Sequence, residues 1–185
     1  MKITFLKILL FFSVLGFSQQ QTLIKTLNDA LKKEVEAQKK LGDDYYGTQF
    51  EVVEYYTIRD SVVRVYVQPS NPNDPTEIAE TKLPILSVTI KKKDPYGSEY
   101  FIEKQEVDIR NIKTIIKDIN IIFETESDDQ VHTITTDAQG NVDYHRNDMF
   151  FLHLSHEKSN EYFQKELATI FKKMKIEVEK GIWAD

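Results

Sequence analysis

Apolar positions recur with two different periods along this chain, and the change between them divides it. Over Thr22–Leu41, Leu23, Leu27, Leu31, Val35 and Leu41 recur at helical spacing with Ile24 beside Leu23, while lysines and glutamates fill the other face. The spacing predicts one helix, ended by Gly42 and the acids Asp43 and Asp44. Such a helix packs on the body of the domain, self-associates, or acts as a spacer. From Thr48 the period falls to two. Gln49–Ile58 and Ser61–Gln68 read as two strands joined by a tight turn at Arg59-Asp60, with Phe50, Val52, Tyr56 and Ile58 on one face and Val63, Val65 and Val67 on the next.

Pro69–Thr81 carries three prolines among Ser, Asn and Asp and reads as a loop. Pro84–Lys92 is a third strand with Leu86, Val88 and Ile90 inward; Asp94–Gly97 is a turn; Glu99–Ile109 is a fourth strand. Ile112–Lys117, Ile119–Glu126 and Val131–Thr136 follow, then a turn over Asp137–Asn141, a short edge piece at Val142–His145 and a last strand at Met149–Leu154. Ser155 suits an N-cap, with Glu157 in the first turn of a helix running to about Lys180. Its apolar stripe is Tyr162, Phe163, Leu167, Ile170, Phe171, Met174 and Val178; Gly181 stops it, and Ile182 and Trp183 fold back on the last turn. The pattern predicts an α+β fold: an antiparallel β-sandwich or half-open barrel of about seven strands, with a C-terminal helix and an additional N-terminal helix.

Ahead of the first helix the pattern is different again. Lys2 and Lys7 precede the apolar run Ile8–Phe12, continued by Val14 and Leu15; Gly16 and Ser18 follow two apart, and Gln19–Gln21 is polar. That is the layout of a secretory signal peptide. The apolar stretch is shorter than the roughly 20 residues a spanning helix needs. The expected organisation is a signal peptide over 1–18 cleaved after Ser18, an N-terminal helix over 19–47 and a β-rich domain over 48–185. An uncleaved anchor is the alternative. The protein is expected in the periplasm or secreted, with no stable membrane span after cleavage.

Composition narrows the function classes. The 185 residues less an 18-residue leader leave 167, enough for one domain with a sizeable core. The chain has no cysteine, which excludes a disulfide framework, a thiol nucleophile, a thiolate metal site and a lipoprotein anchor. The net charge is −6, and loss of the leader's two lysines takes it to −8. A phosphate polyanion is repelled by that field, so no nucleic-acid partner is expected. The nine tyrosines and eleven phenylalanines suit a β-rich core.

One stretch resembles a known architecture. Val107–Ile112 is similar to the segment before the fifth strand of pleckstrin-homology-like domains. Ile121–Thr125 with Val131–Ile134 looks like the next hairpin, and Phe150–Ser155 runs into the helix as the final strand does there. The resemblance covers about residues 48–178 and implies two strongly bent sheets with one corner plugged by the last helix. The basic residues that phosphoinositide-binding members carry around their first loop are not met at Arg59-Asp60, so no lipid-phosphate site is carried over. A small closed barrel of lipocalin type is the alternative architecture.

Candidate chemistry is sparse. His132, His145, His153 and His156 cluster late, with Asp143 and Asp148 nearby, as surface histidines near a sheet edge or as a metal site needing ligands converging at about 2.0–2.2 Å. Asn71–Asp74 and Glu126–Asp129 are acidic loops without an EF-hand pattern. Lys91-Lys92-Lys93 reads as a solvated strand end or as a contact for an anionic ligand or headgroup. Tyr45-Tyr46, Tyr55-Tyr56, Tyr66, Tyr96 and Tyr100 offer an aromatic surface of the kind that binds glycans, although adjacent strand tyrosines point to opposite faces. Ser155-His156 are adjacent, but no G-x-S-x-G elbow or other nucleophile spacing accompanies them. No catalytic residue, metal ligand or cofactor is assigned.

These features imply an exported, non-enzymatic binding or interaction module, engaging an envelope or extracellular protein through a sheet edge, the N-terminal helix or the Pro69–Thr81 loop. The alternative is a carrier of a small apolar ligand in the barrel or under the C-terminal helix, with Phe163, Phe171 and Met174 lining the pocket or simply packing the core. A hydrolase with a dispersed site is a third reading.

Overall fold

The computed structural model describes residues 2–45, 47–67, 77–93 and 99–184, with the backbone alone for residues 2–17, 63–67 and 77–79. Helix α1 (Lys2–Leu41) leads into the long hairpin β1 (Phe50–Val67) and β2 (Glu77–Lys93), then β3 (Tyr100–Asp108), β4 (Ile112–Lys117), β5 (Ile121–Thr125), β6 (Val131–Thr136), β7 (Val142–Asn147) and β8 (Met149–Phe151). Helix α2 (Glu161–Lys173) and strand β9 (Glu179–Trp183) complete the described chain. Two open sheets result. One is antiparallel in the order β1-β2-β3-β6-β7; the other has the order β8-β5-β4-β9, with β9 parallel to β4. The fold is α+β and sandwich-like, its sheets not closed into a barrel, with nine strands among the described residues rather than about seven.

The core is apolar where the two sheets and both helices meet. Leu86, Val107 and Val131 from the first sheet meet Ile112, Ile115 and Phe123 from the second, with Phe163, Leu167, Ile170 and Phe171 of α2 in the same cluster. Phe123 stacks on Phe150 at 6.3 Å and receives the edge of Phe171 at 5.4 Å. Leu23, Leu27 and Leu31 of α1 are fully buried in that cluster, so the N-terminal helix packs on the body. Helix α1 also covers the free side of β1. Asn28 accepts the Tyr56 N–H at 2.8 Å and donates to the Tyr56 carbonyl at 3.0 Å, while Gln38 Oε1 accepts the Phe50 N–H at 2.9 Å. These amides supply the hydrogen bonds that a neighbouring strand otherwise would. Among the described residues no helix is long and apolar enough to cross a membrane.

Several expectations are corrected. No turn interrupts β1 at Arg59-Asp60, which pair with Ile85 and Pro84 along one continuous hairpin. Arg59, Asp60, Ser61 and Val62 are all exposed, Val62 at 55%, so this described stretch of the strand buries no face that would mark its register. Strand β2 likewise begins at Glu77, inside the expected loop, whose residues 68–76 lie outside those described, as does the 94–98 turn segment. Ser155 does not cap α2, which starts after Asn160.

A further correction concerns the helix end. Helix α2 stops at Lys173 rather than near Lys180. Lys175 adopts φ 62°, Ile176 N–H donates to the Phe171 carbonyl at 3.0 Å and Lys175 N–H to that of Lys172 at 3.0 Å. This is a Schellman stop built on lysine instead of glycine. Gly181 lies in β9, where an added Cβ would come within 2.5 Å of Ile116 Cγ2, so Ile182 and Trp183 extend a strand rather than fold back.

Candidate functional site

The inner face of the first sheet changes character along its length. Its rows of paired residues run Leu86–Val107–Val131, then Val88–Gln105–Thr133, then Ile90–Glu103–Thr135, then Lys92–Phe101. Past the first row, β3 and β6 turn polar groups toward the space between the sheets. Buried polar groups of this kind cost stability unless they are satisfied. Here they surround a cleft of about 280 Å³ lined by Lys92, Glu103, Gln105, Thr133, Asn147 and His153, with Phe50 and Phe151 as its apolar walls.

Gln105 organises the cleft. It is 2% exposed, its Oε1 accepts the Phe151 N–H at 2.9 Å, and its Nε2 donates to Glu103 Oε1 at 3.2 Å. That Nε2 also lies 2.9 Å from His153 Nε2. With the amide oxygen engaged by Phe151, the amide nitrogen is the donor, which leaves His153 Nε2 as acceptor and assigns the ring proton to Nδ1. Burial, reinforced by Lys92, holds the His153 imidazole well below its ordinary pKa, so the ring is neutral. Its backbone sits at φ 52° and Phe50 packs against the ring at 5.6 Å. Lys92 Nζ pairs with Glu103 Oε1 at 2.8 Å, both largely covered.

A second polar knot closes the end of the cleft at Ser155. Glu34 of α1 is 5% exposed, and its Oε1 accepts the Ser155 N–H at 2.8 Å, the His156 N–H at 2.8 Å, the Ser155 hydroxyl at 3.0 Å and the Tyr45 hydroxyl. Burial and then the bond to Glu34 push the Tyr45 phenol above its usual range. This carboxylate pins α1 to the β8–α2 connection. Gly47, at φ 134°, passes so close that a Cβ would stand 2.6 Å from Ser155 Oγ.

The sequence candidates separate. His132 and His145 sit on exposed β6 and β7 positions, with His145 paired to Asp143 at 2.9 Å, and His156 is exposed beside Tyr45. His153 alone enters the cleft. Among the described residues no three His, Asp or Glu side chains converge as a metal site. Glu126–Asp129 is a turn tied by Ser127 to Asp129 at 2.6 Å; Asn71–Asp74, Tyr46 and Tyr96 lie outside the described residues, as does the Tyr66 side chain. Tyr56 is buried and donates to the Leu152 carbonyl at 2.6 Å, whereas Tyr55 stays exposed. Phe163 and Phe171 are core packing, with Met174 against them. The Ser155 hydroxyl is engaged by the Glu34 carboxylate and the Tyr45 hydroxyl rather than by a base poised to activate it.

Sequence reasoning placed Tyr45 only in an aromatic surface and passed over Glu34, Glu103 and Gln105. The signal for the last two was legible: inward positions of β3 read Phe101, Glu103, Gln105, Val107. No family model, no curated protein and no solved structure matches this chain.

Proposed function

We propose that the protein is an exported, non-enzymatic binding module that holds a small polar ligand between the sheets at the Gln105–His153 cleft. The observation that carries this reading is the reversal of inner-face polarity at Glu103, Gln105 and Thr133, around a concavity rather than a filled core. At about 280 Å³ the space falls just below the usual range of drug-sized sites, so a ligand of monosaccharide or amino-acid size suits it. Its polar lining argues against the apolar-carrier alternative, as does the packing of Phe171 on Phe123. Export rests on the Lys2–Ser18 pattern. The pleckstrin-homology-like reading of the architecture is supported by two open sheets leading into α2, while the eighth strand before that helix and β9 after it depart from the expected seven.

The test is native mass spectrometry of the precursor after export through its own leader. The expected spectrum has an N-terminus at Gln19 and an added mass that is lost on denaturation and absent from a Gln105→Leu variant. A bare mass, together with no line broadening of amino acids or monosaccharides in ligand-observed NMR, would sink the cleft reading. A protein partner is the second reading. It is favoured by β7, an edge strand whose Val142 and Tyr144 are 48% and 72% exposed.

A further inference from the structure

The lysine run at the end of β2 splits by strand alternation. Lys92 points inward to Glu103, while Lys91 and Lys93 line a separate groove of about 850 Å³ between the C-terminal part of α1 and the start of β1. Lys39 of α1 adds a third cation from the opposite wall, and Tyr55 and Tyr100 add rings that are 40% and 50% exposed. Lys91 Nζ lies 4.8 Å from the Tyr100 ring centroid and 3.6 Å from Glu51, the acid that lines this groove. Among the described residues neither Lys39 nor Lys93 has an ion-pair partner. Gln38, 7% exposed, stands in the wall with its Nε2 buried and without an acceptor among the described residues.

We infer that this groove binds an acidic oligosaccharide, with Lys39, Lys91 and Lys93 meeting its carboxylates and Tyr55 and Tyr100 lying against its rings. Three cations against one acid, on a chain of net charge −6, make a local field that selects anions. The same net charge disfavours a polyphosphate, whose charge density is higher than one carboxylate per sugar. A bilayer requires a protruding apolar face, and this surface is concave. A strand-adding peptide needs a free edge, and Gln38 and Asn28 already occupy the β1 edge at Phe50 and Tyr56. Amphipathic tyrosines and cations in an open groove are what a hydroxylated, carboxylated chain requires.

The test is calorimetric titration of the full exported chain with the tetramer of galacturonic acid, the tetramer of mannuronic acid, the methyl-esterified galacturonate tetramer and a single-stranded oligonucleotide. At least one uronate tetramer should bind saturably and weaken with salt, and the uncharged ester should bind at least about tenfold more weakly. Joint replacement Lys39→Gln with Lys93→Gln should cost about tenfold or more, and Tyr100→Ala a similar factor, with unchanged thermal unfolding. Gln105→Leu, in the other cleft, should leave this affinity intact. Equal binding of acid and ester, no saturation by either uronate up to about 5 mM, or tighter binding of the oligonucleotide overturns the inference.

Discussion

Strands β3 and β5 lie in opposite sheets of one sandwich and are filled differently. In β5, Ile121, Ile122 and Phe123 are all buried, so both faces of the strand are covered. In β3 only one face is covered, and that face begins apolar at Val107 and becomes Gln105 and then Glu103. The two strands therefore hold together by different means. Packing of Phe123 between Phe150 and Phe171 is stabilising through apolar area and ring contact. The polar rows of β3 are held by a chain of hydrogen bonds, from Lys92 to Glu103, from Gln105 to Glu103 and His153, and from Phe151 N–H to Gln105. Such a network fixes positions more than it adds stability. A core that keeps charge where leucine would serve is locally inconsistent with its fold, and such inconsistency tends to mark function.

The contrast breaks first at Phe123. Phe123→Ala should destabilise by about 3–5 kcal/mol, read from urea unfolding, because it empties the contact between β5, β8 and α2. Glu103→Ala should cost less, about 1–3 kcal/mol, by leaving the largely covered Lys92 without its carboxylate and the Gln105 amide with His153 as its one acceptor. Adding Lys92→Met to Glu103→Ala should recover most of that loss. Failure of the second substitution to recover stability would mean that Glu103 works through packing and not through its charge.

Legibility in the sequence followed the same divide. Helix α1 ended at Leu41 as its spacing predicts, and β4, β5 and β6 fall inside or on the expected segments, because a buried stripe leaves a periodic trace. The split hairpin and the overlong last helix were misread where that trace fails. From Arg59 to Val62 β1 is exposed and leaves no periodic trace, and the helix stop at Lys175 uses a residue that carries no stop signal. The cleft was hidden because its members come from β2, β3, β6 and the β8–α2 connection, and only pairing register brings them to one row. Glu34 is harder still: nothing in a Lys/Glu-rich helix distinguishes the one glutamate that turns inward.

His153 sharpens the comparison through pH. Its imidazole titrates near 6.5 in the unfolded chain and well below that when folded. Between those values the unfolded chain holds the additional proton. Stability should therefore be full above about pH 6.5 and fall as pH drops below it, at up to about 1.4 kcal/mol per pH unit. His153→Asn, which tolerates the positive φ, should flatten this component. The difference between the two unfolding curves from about pH 7.5 to about pH 5 checks it, and parallel curves would remove His153 as the cause.

The smallest effect is expected one residue away on the same strand. Lys104 and Glu106 alternate with Glu103 and Gln105 and form their own ion pair at 2.5 Å on the outer face. Their side chains are 33% and 31% exposed, so solvent replaces each partner when the other is removed. Lys104→Ala and Glu106→Ala should each change stability by less than about 0.5 kcal/mol, with a coupling in the double variant no larger than that. If the outer pair couples as strongly as Lys92 and Glu103, burial is not what separates the two faces of β3, and the polar cleft loses its claim to be a built site.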